Sequence, residues 1–315
     1  NLGQAQDLDV ELFSHELRLV SNDDGAFRWL AGAYYLDTNR SLRTRVIVDL
    51  DNSAAQFENP ALTLLDRIED NDNQAWALFG QAEIDITERL TLQVGGRYDE
   101  DERVQVDPTT PNSTRTTTFT SFQPKLTGTY EFTPDVSAYA TYSEGFRSGG
   151  FNAPGVILPG FEDETLTNYE LGLKSRFLDG RASLNLAAFM SDSEDFQFFF
   201  VDVTTGSQII SNLGEVSING FDADFSVEAT DKLTLYGGIG VTDSEIEDIG
   251  NPALETFLNN AGVSTADVIG SKSPKTTDLT LNIGGEFIFP ISDAFEGLLR
   301  ADIEHQGDRY WQIDN

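Results

Sequence analysis

A glycine-rich stretch carries the first residues of this chain that could recognise a ligand. It runs from Gly145 to Gly155 and contains Arg147, Phe151 and Asn152. A guanidinium group pairs with carboxylate or catecholate-type oxygen atoms, and a phenylalanine ring offers an apolar platform. A structural role fits the same residues, since glycines allow a tight exit from a strand and the arginine can line a wall. Both interpretations stay open at the level of the sequence.

Four phenylalanines close together in the chain form the second candidate site. They are Phe196, Phe198, Phe199 and Phe200. An exposed aromatic cluster can bind a planar ligand. The segment can equally form a hairpin with Ser207–Ser211 and pack on itself or on another domain. The sequence does not separate these two hypotheses.

Catalytic, metal and nucleic-acid chemistry find little support. The chain has no cysteine, and its two histidines, His15 and His305, lie far apart without metal-ligand spacing. No serine elbow and no phosphate-binding Walker loop occur. The formal net charge of −33 leaves no basic footprint for a nucleic acid. We therefore expect a protein that is not an enzyme, with no cofactor, no metal site and no nucleic-acid partner.

The elements that must position the candidate residues are strands. Apolar and polar residues alternate along each segment, which indicates a strand with one apolar and one wet face. Most segments reach the roughly 9–11 residues that cross a bilayer at a tilt, whereas strands of soluble proteins average roughly 5–6. The predicted strands are 11–20, 27–36, 75–86, 90–101, 118–132, 136–147, 168–177, 181–191, 215–229, 232–242, 278–289 and 295–306.

Short and long connections follow one another in strict alternation. The short ones are 21–26, 87–89, 133–135, 178–180, 230–231 and 290–294; the long ones are 37–74, 102–117, 148–163, 193–214 and 245–275. Two such different rims are typical of a membrane β-barrel, and no apolar run approaches the roughly 18 residues of a transmembrane helix. The predicted fold is all-β: an antiparallel up-and-down transmembrane β-barrel. Residues 43–50 are predicted as a hairpin arm within a long outer loop.

Charged residues within the strands should face the interior of such a barrel. An arginine that faces lipid at the midplane costs about 2–4 kcal/mol, so a wet lumen is the better environment. The predicted lumen-facing residues are Arg97, Lys125, Glu131, Lys174, Arg176 and Glu286. Aromatic residues near strand ends are predicted to form girdles at the membrane interfaces; they are Trp76, Phe79, Phe132, Phe177, Phe287 and Phe289. In a soluble sandwich they would be core residues instead.

Acidic clusters occupy several predicted strand tips, at 99–102, 192–195 and 243–248. Carboxylates are the oxygen ligands that calcium takes, but none of the clusters matches an EF-hand loop. We interpret them as solvated tips, bridged by cations to the phosphates of outer-membrane lipid and lipopolysaccharide.

One segment resembles a strand-to-loop signature of the TonB-dependent outer-membrane receptors. It reads TYSEGFRSGGFN and spans residues 141–152. Five further stretches are similar to the same family, and the resemblance covers nearly the whole chain. They are 14–19 with 27–35, 77–82 with 92–98, and 167–174.

The resemblance implies a barrel of about 22 strands in the outer membrane of a Gram-negative bacterium, filled by an N-terminal plug domain. Family members import scarce ligands, most often a ferric siderophore, with energy relayed by TonB. This sequence has neither a plug nor a TonB-contact segment before its strands, and no terminal aromatic strand before Asn315. We therefore interpret residues 1–315 as a fragment of the barrel domain, with about 12 of the 22 strands.

Two other classes of function remain as alternatives. One is a self-contained barrel that acts as a passive outer-membrane channel or as a hydrolase, for which His15 and His305 are the only candidate bases. The other is a soluble β-rich binding or adhesion module whose loops perform the recognition.

Overall fold

Twelve long strands form a single antiparallel sheet in chain order, as the sequence predicts. The computed structural model describes residues 2–22, 25–48, 59–156, 158–202, 207–260 and 262–313. The first half of the sheet comprises β1 (Leu2–Val20), β2 (Phe27–Val48), β3 (Thr63–Asp85), β4 (Leu90–Val106), β5 (Arg115–Thr133) and β6 (Val136–Arg147). A separate small hairpin follows, made of β7 (Gly150–Phe151) and β8 (Gly160–Phe161). The second half comprises β9 (Glu164–Phe177), β10 (Ala182–Asp202), β11 (Ser207–Thr230), β12 (Leu233–Asp248), β13 (Leu279–Ser292) and β14 (Phe295–Gln306).

The two ends of the sheet differ as the sequence predicts. One end, the turn end, carries the short connections, and threonine hydroxyls close several of them. The Thr133 hydroxyl accepts from the Asp135 N–H at 3.2 Å, and the Thr230 hydroxyl accepts from the Lys232 N–H at 3.2 Å. Such bonds occupy backbone donors that a tight reversal leaves free. The other end, the loop end, carries all the long connections.

One face of the sheet, called the polar face, carries the charged residues that the sequence predicts to face the lumen. Directly opposed residues in antiparallel strands share a face, so each cross-strand pair extends the assignment. Lys125 opposes Ser143, Ser137 opposes Lys174, and the same parity continues to both edges. The predicted lumen-facing residues Arg97, Lys125, Glu131, Lys174, Arg176 and Glu286 all lie on this face.

The opposite, apolar face carries rows of aromatic side chains near the loop end. Tyr35 opposes Trp76, and the Trp76 and Tyr98 rings lie 5.6 Å apart. The rings of Tyr142 and Tyr169 are 5.3 Å apart in the same fashion. Amphipathic rings at this level suit a membrane interface.

The predicted girdle assignment is wrong for one residue, Phe79. It lies on the polar face, where its ring is 5.7 Å from the guanidinium of the opposing Arg97. Trp76, Phe177 and Phe287 lie on the apolar face as expected. Alternation explains the placement of Phe79, because it lies three residues from Trp76 and the two side chains therefore point to opposite faces.

Strands extend beyond the predicted bounds at the loop end. Residues 43–48 are not a separate arm but the continuation of β2, paired with β3 through Val46 and Leu65. Residues 49 and 50 of that predicted arm lie outside the described residues. At 22 and 23 residues, β2 and β3 are about twice the length that a bilayer requires. Their loop-end halves therefore project past the hydrocarbon layer.

Two short helices lie in the connection between β12 and β13. They are α1 (Pro252–Asn260) and α2 (Thr265–Val268). A 3-10 turn also spans Pro60–Leu62. The Asn251 side chain caps α1 by accepting from the Ala253 and Leu254 N–H groups at 3.0 and 3.2 Å. Pro252 occupies the first turn, where a backbone N–H would have no acceptor within the helix, so its missing N–H costs nothing. Within the described residues, no helix is long and apolar enough to cross a membrane.

Within the described residues, β1 and β14 each pair with one neighbouring strand of the sheet. The sheet is therefore open, as expected for part of a barrel. Unpaired strand edges are not tolerated in hydrocarbon, which requires further strands to close the structure in a membrane.

Candidate ligand-binding site

The connection 148–163 fills a gap between two tall hairpins at the loop end. β5 residues 115–124 have β4 as their strand partner, because β6 pairs with β5 only from Lys125 onward. On the other side, β10 pairs with β9 up to Glu194 and continues outward with β11 alone. The 148–163 loop lies above the shorter β6–β9 pair and contacts both hairpins. This is the segment that contains Phe151 and Asn152.

Asn152 binds the loop to β11. Its side-chain amide donates to the Leu158 carbonyl at 2.9 Å and to the Ile210 carbonyl at 2.7 Å, and its side-chain oxygen accepts from the Ile210 N–H at 2.8 Å. The residue is 5% exposed. Because its polar groups are already bonded, Asn152 orients the loop in this structure, and its predicted contact with a ligand stays a prediction.

Arg115 holds the loop from the side of β5. Its guanidinium donates to the carbonyls of Asn152 and Pro159, both at 2.6 Å, and to the Gln105 side chain. The Phe151 ring lies 4.8 Å from the guanidinium carbon. Burial lowers the pKa of Arg115, and the nearby charge of Glu69 opposes that shift. Phe151 is therefore half-buried against a cation.

Gln197 and Asn212 form the third attachment, on the β10–β11 hairpin. The Gln197 amide group donates to the carbonyls of Arg147, Ser148 and Glu162 at 3.3, 2.9 and 3.1 Å. Asn212 accepts from the Glu162 N–H at 2.8 Å and donates to the Glu162 carbonyl at 3.0 Å. Buried polar groups that are fully bonded rigidify their surroundings. The loop is thus held at three places, one on the β4–β5 hairpin and two on the β10–β11 hairpin.

Arg147 is the most accessible of the predicted residues in this region. Its side chain is 57% exposed and makes one ion pair, from Nη1 to the Glu164 carboxylate at 3.2 Å. Glu164 also accepts from the Gln197 N–H at 2.9 Å. An exposed ion pair contributes little to stability, and within the described residues the other side-chain donors of Arg147 have no partner, so they can meet another anion.

The predicted phenylalanine cluster divides between core and surface. Phe198 and Phe200 are 4% and 7% exposed and belong to a buried cluster with Leu158, Leu213 and Leu254. Phe200 lies 4.8 Å from the Phe257 ring of α1, and Phe196 packs at the margin of the cluster. The hairpin with β11 forms as the second hypothesis expects, with Phe198 opposite Ser211. Burial of two large rings makes this segment a packing element.

Phe199 points away from that core and remains exposed. The Lys275 ammonium lies 5.4 Å from its ring centre and 5.9 Å from that of Trp311. The Arg309 guanidinium lies 4.9 Å from the Trp311 ring. Two cations beside two exposed rings form a surface on which an anionic or aromatic ligand can rest.

The predicted lumen-facing residues occupy separate places on the polar face. Lys125 and Lys174 line one cavity of about 610 Å³, which Glu131 and Glu170 also border. Arg97 donates to Asp99 at 2.7 and 2.6 Å. Glu286 accepts from Arg300 at 3.3 Å, and Arg176 lies 3.7 Å from Asp135 near the turn end.

Sequence patterns do not reveal the polar residues that hold the site together. Arg115, Gln197 and Asn212 carry no motif, and their partners are backbone carbonyls up to 50 residues away in the chain. The expected absence of a metal site stays a prediction, although no group of three or more metal-ligating side chains occurs among the described residues.

The architecture is that of a barrel protein of the bacterial outer membrane. One face of the sheet is polar, the other is apolar with aromatic rows, and a long loop folds over the loop end. The chain belongs to the TonB-dependent receptor-like β-barrel family, whose family model matches residues 3–315. Members are outer-membrane β-barrel proteins of Gram-negative bacteria, and this chain is a stretch of such a barrel.

Individual relatives cover this chain to different extents. The metal-pseudopaline receptor CntO of Pseudomonas aeruginosa is 30% identical over 204 residues, which is 62% of this chain and 28% of that receptor. The ferric yersiniabactin uptake receptor FyuA of Yersinia pestis superposes with a TM-score of 0.78 at 17% identity, over 100% of this chain and 45% of that chain. The siderophore receptor PiuA of Acinetobacter baumannii superposes with a TM-score of 0.70 at 17% identity, over 98% of this chain and 48% of that chain. The chain thus corresponds to less than half of each of these proteins.

Proposed function

We propose that this chain forms part of the barrel of a receptor that imports a metal complex across the outer membrane, with a ferric siderophore as the favoured ligand. The proposal includes a plug domain in the same protein, and transport driven by TonB through that plug. The polar face then lines the lumen, and residues 1–315 supply about 12 of the 22 strands of the complete barrel. Import of an intact complex requires no catalytic residue.

The observation that carries the proposal is the clamped 148–163 loop. A passive pore needs an open mouth, whereas this loop is held over the loop end by Arg115, Asn152 and Gln197. A preformed surface of this kind lowers the ordering cost of capturing a ligand. Relatives of this chain include a metal-pseudopaline receptor and a siderophore receptor, and their ligands support the proposed function.

Within the proposed receptor, Arg147 and Phe199 are the best candidates for direct ligand contact. Both are exposed at the loop end, and neither is required by the buried cluster. Phe196, Phe198 and Phe200 then support the site from beneath, as Asn152 does, and Phe151 contributes its partly accessible ring. The cation-bridged contact of acidic strand tips with lipopolysaccharide remains part of the proposal.

Uptake by whole cells tests the function. Cells with the complete gene should accumulate radioactive iron from a ferric siderophore, and accumulation should stop when TonB is removed. Arg147→Ala combined with Phe199→Ala should weaken ligand binding at an unchanged abundance of the receptor. Arg181→Ala, at the turn end, is the control. Accumulation that continues without TonB would instead support a passive channel.

A further inference from the structure

A cavity of about 480 Å³ lies beside the clamped loop, between the loop end of β3 and the β4–β5 connection. Two arginines line it, Arg67 on β3 and Arg115 on β5, and Pro154 and Gly155 close one side. Asp66 and Asp107 line the same cavity, in a chain of net charge −33. A cation placed against the prevailing charge of a protein and beside a cavity calls for an explanation.

Arg67 is a buried guanidinium with few partners. Its side chain is 14% exposed, and its one ion contact joins Nε to the Glu69 carboxylate at 3.3 Å. The Nε hydrogen finds no acceptor in hydrogen-bonding geometry. In the part of the chain that the structure describes, no hydrogen bond from its two terminal nitrogens is found. A guanidinium has five N–H donors, and buried donors without partners are costly.

Arg115 makes no ion pair of its own among the described residues, although the charge of Glu69 acts on it from beyond ion-pair distance. Its acceptors are two carbonyls and the Gln105 amide oxygen, all of them neutral. No carboxylate lies within 4.0 Å of its nitrogens among the residues that the structure describes. Neutral acceptors satisfy the hydrogen bonds of an arginine without cancelling its charge.

The acidic residues at the cavity are already engaged. Asp66 accepts from Arg43 through both oxygens, at 2.8 and 2.7 Å. Asp107 accepts from the Thr109 N–H and hydroxyl at 2.8 and 2.6 Å and from the Thr110 hydroxyl at 2.7 Å. Each carboxylate keeps some acceptor capacity, but both already have donors within the protein. The five N–H donors of Arg67 have no hydrogen-bond acceptor among the described residues, so the larger unused capacity at the cavity is on the donor side, which suits an anion.

We propose that Arg67 and Arg115 form an anion-binding subsite for a carboxylate group of the imported complex. The inference rests on the proposed function and deepens it, because it names the chemical class of the ligand. A carboxylate matches the planar fork of an arginine with two parallel hydrogen bonds. Glu69 competes with the ligand for Arg67 and holds that guanidinium in place when the subsite is empty.

Calorimetric titration of the intact receptor with metal-free citrate, a tricarboxylate, tests the subsite. Wild-type receptor should bind citrate saturably in a buffer of low ionic strength. Arg67→Gln should weaken binding by at least about tenfold, and Arg67→Lys by less, because a lysine keeps the charge but loses the fork. Glu69→Gln should tighten binding by about three- to tenfold, since it removes the competing carboxylate. Arg181→Gln makes the same charge change at the turn end and should have no effect.

The two proposals fail in distinguishable ways. Absence of citrate binding to the wild-type receptor, or equal binding by Arg67→Gln, would overturn the subsite even if iron uptake is normal. Citrate binding that depends on Arg67, in a receptor that imports no ferric complex, would support the subsite and reject the import function. Arg115→Gln is a poorer test, because it also releases the 148–163 loop.

Discussion

Gly214 and Gly250 cross in direct backbone contact at the loop end. The Gly214 N–H donates to the Ile249 carbonyl at 2.9 Å, and a Cβ atom on Gly214 would lie 2.9 Å from the Gly250 Cα. Gly250 has φ +62°, a left-handed conformation that glycine adopts without strain. The crossing brings the segment that leads into α1 against β11, so that Leu254 and Leu213 share one buried cluster.

Gly214→Ala should detach this crossing. The new methyl group meets backbone rather than a movable side chain, and overpacking of this kind costs about 1–3 kcal/mol. Limited proteolysis of the intact receptor should show faster cleavage within 249–270. Gly128→Ala is the control, because Gly128, like Gly214, has no positive φ, but it has nothing within 4 Å of its Cβ position. Equal protection of wild type and Gly214→Ala would contradict the proposed role of the contact.

Phe200→Ala and Phe199→Ala should separate packing from ligand contact. Removal of the buried Phe200 ring leaves a cavity against Phe257 and should destabilise the loop end by about 3–5 kcal/mol. Removal of the exposed Phe199 ring should change stability by less than about 0.5 kcal/mol. Hydrogen exchange of residues 207–213 measures the first effect. If Phe199→Ala loses ligand affinity while the hydrogen exchange of residues 207–213 is unchanged, Phe199 is a ligand-contact residue. If residues 207–213 exchange faster in Phe199→Ala, Phe199 is a packing residue instead.

The alternation of polar and apolar residues predicts the sheet well, because the wall of a membrane barrel requires this alternation along every strand. Each strand lies between lipid and a polar interior, so successive side chains point alternately to the two environments. All twelve predicted strands occur. Phe79 follows this alternation, which puts it on the face opposite to Trp76, and only its aromatic character suggested the girdle. The helix α1 was not expected within a long polar connection, although Asn251-Pro252 and the spacing of Leu254 and Leu258 are its local signals.

Gln197→Glu should loosen the 148–163 loop more than Gln197→Ala does. Alanine removes the donor to the Arg147 and Ser148 carbonyls, and each buried group left without a partner costs about 1–3 kcal/mol, whereas the Glu162 carbonyl keeps its bond from Asn212. Glutamate also places a negative charge opposite those carbonyl oxygens. Hydrogen exchange across residues 148–162 should rise in the order wild type, alanine, glutamate. A glutamate variant as protected as wild type would show that the carbonyls find other donors.

Asp195 should make the stability of the loop end depend on pH. Partial burial of its carboxyl group raises its pKa, and the charges of Asp163 and Glu194 add to that shift. The folded state therefore binds a proton more tightly than the unfolded state does, so the penalty on the local free energy of unfolding is fully present above the folded pKa and is relieved as the pH falls through the folded pKa toward the unfolded pKa. Asp195→Asn removes the charge and keeps a residue type that tolerates the φ of +53° at this position. The variant should be more resistant to proteolysis than wild type at neutral pH, with the difference shrinking in mild acid. A constant difference across the pH range would assign the effect to the backbone rather than to the carboxylate.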